Sequence, residues 1–317
     1  METQSATSRI EYSGDITSLI GRMSAAFQIG EATQFSVVEV GYEDCNVVIE
    51  AGEKRFFAKL FAKDRTPEEI ARYTQIMKTV VNAGINHPEL LRIKQDQVVY
   101  KDGLVSAVLM PFIQGKTFFD LDRTPNQEEQ QAITEQAALI NRVTYKPSFL
   151  FDGWAIPNIK QSFDRVREFM SEEDKGMVEK AIKTYETIPI GNLPHAFVHG
   201  DLTKANVMKG EDGKMYILDF SVANWYPRIQ ELAVMAANLT HDSQSTLSDR
   251  CISIAKDYSK FNSLTSEENN SLYPYALAGV AMELIGAHIE KFINGNEGEE
   301  TDFWLSLGRD GLREALQ

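Results

Sequence analysis

The sequence predicts an α+β fold in two halves: an antiparallel β-sheet half with one inserted helix, then a larger, mainly helical half. Three observations predict it. Runs of β-branched and aromatic residues joined by short turns fill much of the first 112 positions. One sharply capped helical pattern interrupts them, and from Glu128 onward helical spacing of apolar residues dominates. The division places one lobe at 1–112 and the other at 113–317, an ordinary partition for a chain of 317 residues.

Residues 15–30 read as a short helix ending at Gly30. Residues 35–40 form the first strand, followed by Gly41, and 45–50 form the second. Residues 51–54 are a turn, and 55–61 are the third strand of an antiparallel meander. Thr66-Pro67-Glu68-Glu69 then opens a helix as a capping box, with Thr66 as the cap and Glu69 three residues behind it. Ile70, Tyr73, Ile76, Met77, Val80 and Val81 follow at helical spacing, and Asn82-Ala83-Gly84 closes the helix. Residues 97–100 and 104–110 are two more strands around the turn Lys101-Asp102-Gly103. In the second half only 196–198 and 215–219 read as β. The most hydrophobic late stretch, 273–293, is broken by Glu283, His288, Glu290 and Lys291, which marks a buried amphipathic helix and not a membrane span. Residues 294–300 read as a polar surface loop.

Composition narrows the class of protein. Hydrophobic residues make up 43% and charged residues 25%, as in ordinary globular chains. A net charge of −14 opposes general affinity for nucleic acid, whose phosphates call for Lys and Arg, and is compatible with a cationic small substrate. Cys45 and Cys251 stand far apart and in no metal-binding spacing, so a reducing, cytoplasmic setting is expected. The N-terminal residues are polar, without the apolar stretch of a signal peptide. No membrane association is expected.

The chemistry concentrates in His199-Gly200-Asp201-Leu202-Thr203-Lys204-Ala205-Asn206, followed by the apolar run Tyr216-Ile217-Leu218 ending at Asp219. Phosphoryl transfer needs a carboxylate beside the attacking hydroxyl and oxygen ligands for a metal that bridges the phosphates. One tight loop supplies the base and one ligand when they stand five residues apart, as Asp201 and Asn206 do, and a neighbouring strand end supplies the second ligand, Asp219. His195 and His199, four apart, have no third ligand nearby, so zinc is not expected.

This pattern resembles the catalytic and metal segments of the aminoglycoside phosphotransferase, choline kinase and homoserine kinase superfamily, which shares the two-lobed protein-kinase fold. The resemblance runs from about Phe35 to Thr240 and is closest over 198–233. It implies an ATP- and Mg²⁺-dependent kinase acting on a hydroxyl of a small molecule such as an aminoglycoside, amino alcohol or sugar, with ATP bound between the lobes. Asp201 is then the base, and Asn206 and Asp219 are the Mg²⁺ ligands. Lys59, in the third strand, resembles the lysine that contacts the α- and β-phosphates. By position, the Pro111 carbonyl and the Ile113 N–H are the hinge groups for adenine. Proline lacks an N–H but keeps the acceptor this position needs. Glu231 stands where relatives carry an Asp that braces the catalytic loop through backbone N–H groups, and Trp225, Tyr226 and Pro227 before it read as loop residues.

The sequence departs from the family pattern at several points. Gly41 is the sole glycine between the first two strands, so no glycine-rich loop of the protein-kinase type is present. Relatives pair the strand lysine with a Glu on the first long helix. Here that position falls on Tyr73, and Glu69, one turn earlier, is claimed equally by the capping box and by Lys59. Lys204 reads either as a phosphoryl contact or as a surface lysine. Two alternatives to a small-molecule kinase stay open at this stage: a protein kinase, and a non-catalytic nucleotide-binding regulator of the same fold. Among the acids flanking the catalytic loop, Glu283 is a candidate partner for an amine-bearing acceptor.

Overall fold

The β-branched runs form the sheet they predict. The computed structural model describes residues 6–10, 12–38, 43–94, 97–242 and 244–317. In it, β1 (Gln34–Val38), β2 (Cys45–Ala51), β3 (Lys54–Leu60), β4 (Tyr100–Asp102) and β5 (Val105–Pro111) make one antiparallel sheet in the order β1-β2-β3-β5-β4. Two turns depend on glycine: Gly52 (φ +61°) joins β2 to β3 and Gly103 (φ +59°) joins β4 to β5, in a backbone region that a Cβ disfavours. Gly41 and the end of the first expected strand, Glu39 and Val40, lie outside the described residues.

α1 (Ile16–Phe27) starts at Asp15, whose carboxylate accepts the Thr17 and Ser18 N–H groups, and it stops at Gln28 (φ +56°), ahead of the expected Gly30. It buries Leu19, Ile20, Met23 and Phe27 against Val47, Ile49, Phe56, Ala58 and Leu109 of the sheet. α2 (Pro67–Asn82) is the inserted helix. The Thr66 capping box forms as expected, with the Glu69 N–H donating to Thr66 Oγ1 at 3.2 Å and the Thr66 N–H to Glu69 Oε2 at 2.8 Å. These elements make the first of two compact units, Met1–Val81 with His87–Gln114; the second is Asn82–Asn86 with Gly115–Gln317.

The second unit holds β6 (Gly115–Thr117), α3 (Gln127–Ile140), α4 (Ile159–Val166), α5 (Glu172–Tyr185), β7 (His195–Val198), β8 (Val207–Gly210), β9 (Met215–Ile217) and β10 (Asn224–Pro227). It continues with α6 (Ile229–Val234), a π-helical turn at Met235–Leu239, α7 (Leu247–Tyr258), α8 (Ser266–Phe292) and α9 (Glu299–Ala315). β7 pairs with β10, and β8 lies between β6 and β9, all antiparallel. This half is therefore less purely helical than expected. β6, β8 and β10 were not anticipated, because these short runs carry Gly, Lys, Asn or Pro, whereas the equally short β7 and β9 are mostly apolar. Trp225, Tyr226 and Pro227 are strand residues, not loop residues, tied to Phe197, Ala196 and His195.

α8 also corrects an expectation. It begins at Ser266, earlier than its apolar stretch, and is not amphipathic: Glu283, His288 and Glu290 are buried along with its aliphatic residues. α4, α5, α6, α7 and α9 all pack against it, so no face is left to water. By length and composition it is long and apolar enough to cross a membrane, yet 89% of its most apolar window is buried inside the protein. α9 takes Glu299 and Glu300 out of the expected polar loop as its first turn.

Candidate active site

The β7-to-β10 segment gathers the polar residues of the second unit. β7 runs buried into His199, and Gly200 (φ +89°) turns the chain so that Asp201 leaves the strand direction. The β8–β9 hairpin then returns the chain. The Leu218 N–H donates to the Asn206 carbonyl at 2.8 Å, which sets Asp219 beside the loop that carries Asn206. Asn206 Nδ2 donates to Asp201 Oδ2 at 2.6 Å and to the Asp201 carbonyl at 3.2 Å. The amide nitrogen is thus occupied, which leaves Asn206 Oδ1 as the atom that could ligate a metal. Asp219 has φ +55°, a left-handed conformation that Asp tolerates better than most residues, and its Oδ1 accepts the Ser221 N–H at 3.1 Å.

His199 ties these pieces together. Its Nδ1 accepts the Asp201 N–H at 3.0 Å, and its Nε2 lies 2.8 Å from the Leu218 carbonyl. An N–H only donates and a carbonyl only accepts, so the ring is the neutral tautomer with its proton on Nε2. Burial lowers its pKa from 6.5 to about 4. The unfolded chain therefore binds this proton first. The stability His199 confers is complete above pH 6.5 and is lost as pH falls through about 4. At about 1.4 kcal/mol per pH unit, the effect is roughly 3 kcal/mol. Urea unfolding followed from neutral pH to about 4 is expected to show this loss in the difference between wild type and His199→Asn, because the raised carboxyls of Asp201, Glu231 and Glu283 stabilise both proteins as pH falls. Parallel profiles would mean that His199 is not the group responsible.

The brace at Glu231 forms. On α6, Glu231 accepts the N–H groups of His199 and, at 3.3 Å, of Gly200, so the extra methylene relative to Asp does not prevent a two-pronged grip. Burial pushes its carboxyl up to about 8, against the pull of these two N–H groups.

Asp201 sits among acids. Burial pushes its carboxyl up to about 8; the charges of Glu283, Asp152 and Asp219 push the same way, and the Thr203 hydroxyl opposes them. Glu283, raised by burial to about 7, accepts Asn238 Nδ2 at 2.8 Å, and the same amide's Oδ1 accepts the Lys204 N–H at 2.9 Å. Asn238 thus links the loop to α8 from the π-helical turn, a distortion often found at functional sites. Lys204 Nζ donates to the His241 carbonyl at 3.0 Å, so Lys204 is a half-buried anchor and not a surface lysine. Asp152 and Asn238 were missed in the sequence: neither stands in a motif, and only folding brings them to this loop.

Among the described residues no three His, Cys, Asp or Glu side chains converge as a metal cage. Mg²⁺ in phosphoryl transfer takes one or two protein oxygens and fills its shell with phosphates and water. The amide oxygen of Asn206 and the carboxylate of Asp219 fit that donor set. His195 Nδ1 lies 2.8 Å from the Leu193 carbonyl and His199 is fully engaged, so the two do not act as a metal pair.

Lys59, Pro111 and Ile113 belong to the first unit. Pro111 is the exposed last residue of β5, opposite Phe56. The Phe112 N–H donates to the Arg55 carbonyl at 3.0 Å, and Ile113 follows beyond the ladder. Lys59 is buried, and its Nζ lies 3.1 Å from Asp44 Oδ2. The acid beside it therefore comes from the residue just ahead of β2. Glu69 is engaged with the Thr66 cap, and Tyr73 presents its ring, with the centroid 5.5 Å from Nζ. Asp44 is not visible as the partner from the sequence, because only the folded register puts it two residues ahead of Asn46, the cross-strand partner of Lys59.

Residues 34–258 match the model of the phosphotransferase enzyme family. A homoserine kinase from Zymomonas mobilis is 22% identical over 275 residues, covering 84% of this chain and 83% of its own. Among solved structures, spectinomycin phosphotransferase in complex with ADP and spectinomycin superposes with a TM-score of 0.68 at 11% identity, over 92% of this chain and 93% of that one. An amicoumacin kinase in complex with AMP-PNP and Ca²⁺ gives 0.70 at 11% identity, over 96% and 94%.

Proposed function

The chain belongs to the phosphotransferase enzyme family, and from that premise we propose that it transfers the γ-phosphoryl group of ATP to the hydroxyl of a small, amine-bearing alcohol. Family membership makes it a small-molecule kinase; its use of a nucleotide with a divalent cation, supported by the ADP- and AMP-PNP/Ca²⁺-bound neighbours, the acceptor and the individual roles are our reading. The observation that carries it is the linked arrangement of Asp201, Asn206 and Asp219.

Asp201 orients the acceptor hydroxyl and takes its proton as the new O–P bond forms and ADP departs. Asn206 and Asp219 hold Mg²⁺ through oxygen. When bound, the ion would offset the charge growing on the phosphates. Lys59 contacts the non-transferred phosphates, and the Pro111 carbonyl and Ile113 N–H receive adenine. In this reading residues 1–112 form the nucleotide-binding lobe and residues 113–317 the catalytic and substrate-binding lobe, in the cytoplasm, where the free thiols of Cys45 and Cys251 persist.

The acids around Asp201 favour a cationic acceptor. A carboxyl pushed up to about 8 mostly keeps its proton at neutral pH, where a base must have lost it. An ammonium group near Asp152 and Glu283 lowers it again, as Mg²⁺ at Asp219 does. Homoserine, an alcohol with an ammonium group, is the first acceptor to try. ATP consumption is expected to rise at least about tenfold over the water background with homoserine or a related amino alcohol or aminoglycoside, and not with the deaminated analogue. Stimulation by sugars alone would remove the amine from the proposal. Thermal stabilisation by ATP–Mg²⁺ without turnover on any acceptor would favour a non-catalytic nucleotide binder, and phosphate transfer to proteins alone would favour a protein kinase.

A further inference from the structure

We propose that Asp44 is the positioning residue for Lys59, so that the phosphate-contacting lysine is held from the neighbouring strand and not from the helix. This rests on the reading that Lys59 contacts the nucleotide. The register sets the geometry. Asn46 on β2 faces Lys59 on β3, so Asp44 stands diagonally across on the same side of the sheet, within reach of a long side chain. The ion pair, at 3.1 Å, is almost closed to water, with the two side chains 5% and 1% exposed. A buried ammonium needs such a partner, because losing its hydration is otherwise uncompensated.

The carboxylate is itself fixed. Its Oδ1 accepts the Ala62 N–H at 2.9 Å and lies 3.5 Å from Arg65 Nε, both in the connection from β3 to α2, while Arg65 also grips Glu43. Oδ2 is left aimed at the lysine. α2 offers Lys59 an aromatic ring at Tyr73, while its nearest acid, Glu69, caps the helix. The acid that sets the lysine is therefore not carried on α2, and the connection leading into that helix holds its carboxylate.

A double-mutant cycle tests this, read by slow ATP hydrolysis with Mg²⁺ and by AMP-PNP affinity, neither of which needs an identified acceptor. Asp44→Asn keeps an acceptor for Ala62 but removes the charge. It is expected to lower kcat/KM by roughly 10- to 100-fold, as Lys59→Met does. The double variant should be no worse than either single one, and Asp44→Glu should recover at least about tenfold over Asp44→Asn. Multiplying losses, a fully active Asp44→Asn, or equal impairment of Asp44→Asn and Asp44→Glu would overturn the proposal, since a purely structural anchor behaves that way. If Asp44→Asn unfolds, adding Lys59→Met should restore its Tm by removing the buried ammonium that Asp44 had faced, and failure to do so also overturns it. A wild-type chain that neither hydrolyses ATP nor binds AMP-PNP sinks the kinase reading itself. An active wild type with multiplying losses sinks the Asp44 assignment alone.

Discussion

Asp201→Asn is expected to lower turnover by about a thousandfold while leaving nucleotide affinity within about threefold of wild type. The substitution is nearly isosteric. The amide oxygen it introduces can still accept Asn206 Nδ2, which in the native chain donates to Asp201 Oδ2 at 2.6 Å, so the loop geometry survives. His199 grips this residue through the backbone N–H, and the Glu231 brace holds the two residues before it, so neither depends on the side chain at position 201. What disappears is the group able to take the proton from an attacking hydroxyl. The loss should fall on kcat, with the KM for ATP nearly unchanged, because the nucleotide contacts assigned here lie elsewhere. Steady-state kinetics with the best acceptor, together with AMP-PNP titration, separates the two quantities. Equal losses of binding and turnover would show that Asp201 holds the nucleotide and is not the base.

Much of this was legible in the sequence, and the reasons differ from residue to residue. That Asp201, Asn206 and the end of the strand at Asp219 are linked was readable because the motif sets residue types and spacing together within one loop and one strand end. The antiparallel sheet and the inserted helix were readable because the strand runs are five to seven residues long and the helix carries its own capping box. Glu231 was readable from its distance to Asp219, and its grip on His199 and Gly200 follows. β8 and β10 were not readable. Their Lys, Gly, Asn and Pro interrupt runs too short to offset them, whereas the equally short β7 and β9 are mostly apolar. The partner of Lys59 was hidden for another reason: it depends on which residue of β2 lies opposite, and register belongs to the folded hairpin. Asp152, Asn238 and Glu283 come from three separate elements. No local pattern ties them together, and their common effect on the loop exists only once α8 is buried among its neighbours.

Asp219→Asn is expected to remove the Mg²⁺-dependent part of nucleotide binding, raising the Kd for ATP–Mg²⁺ about 100-fold and cutting turnover at least as far. Asparagine is the right replacement here, because position 219 has φ +55°, and Asn, like Asp, tolerates the left-handed region. Alanine would add about 1 kcal/mol of backbone strain and blur the result. The amide oxygen that replaces Oδ1 can still accept the Ser221 N–H, so the local turn persists and only the charge is lost. In the free protein that loss is mildly favourable, since the Asp219 charge is one of those that push the Asp201 carboxyl up. The ligand-free Tm should therefore hold or rise slightly. The stabilisation conferred by ATP with Mg²⁺, worth about 2.7 kcal/mol at a hundredfold excess over Kd, should largely vanish. Nucleotide added with chelator should stabilise both proteins equally, which isolates the metal as the quantity lost. If Asp219→Asn binds ATP–Mg²⁺ as tightly as wild type, the carboxylate at position 219 is not a metal ligand. The link from Leu218 to Asn206 would then serve only to hold the loop in place.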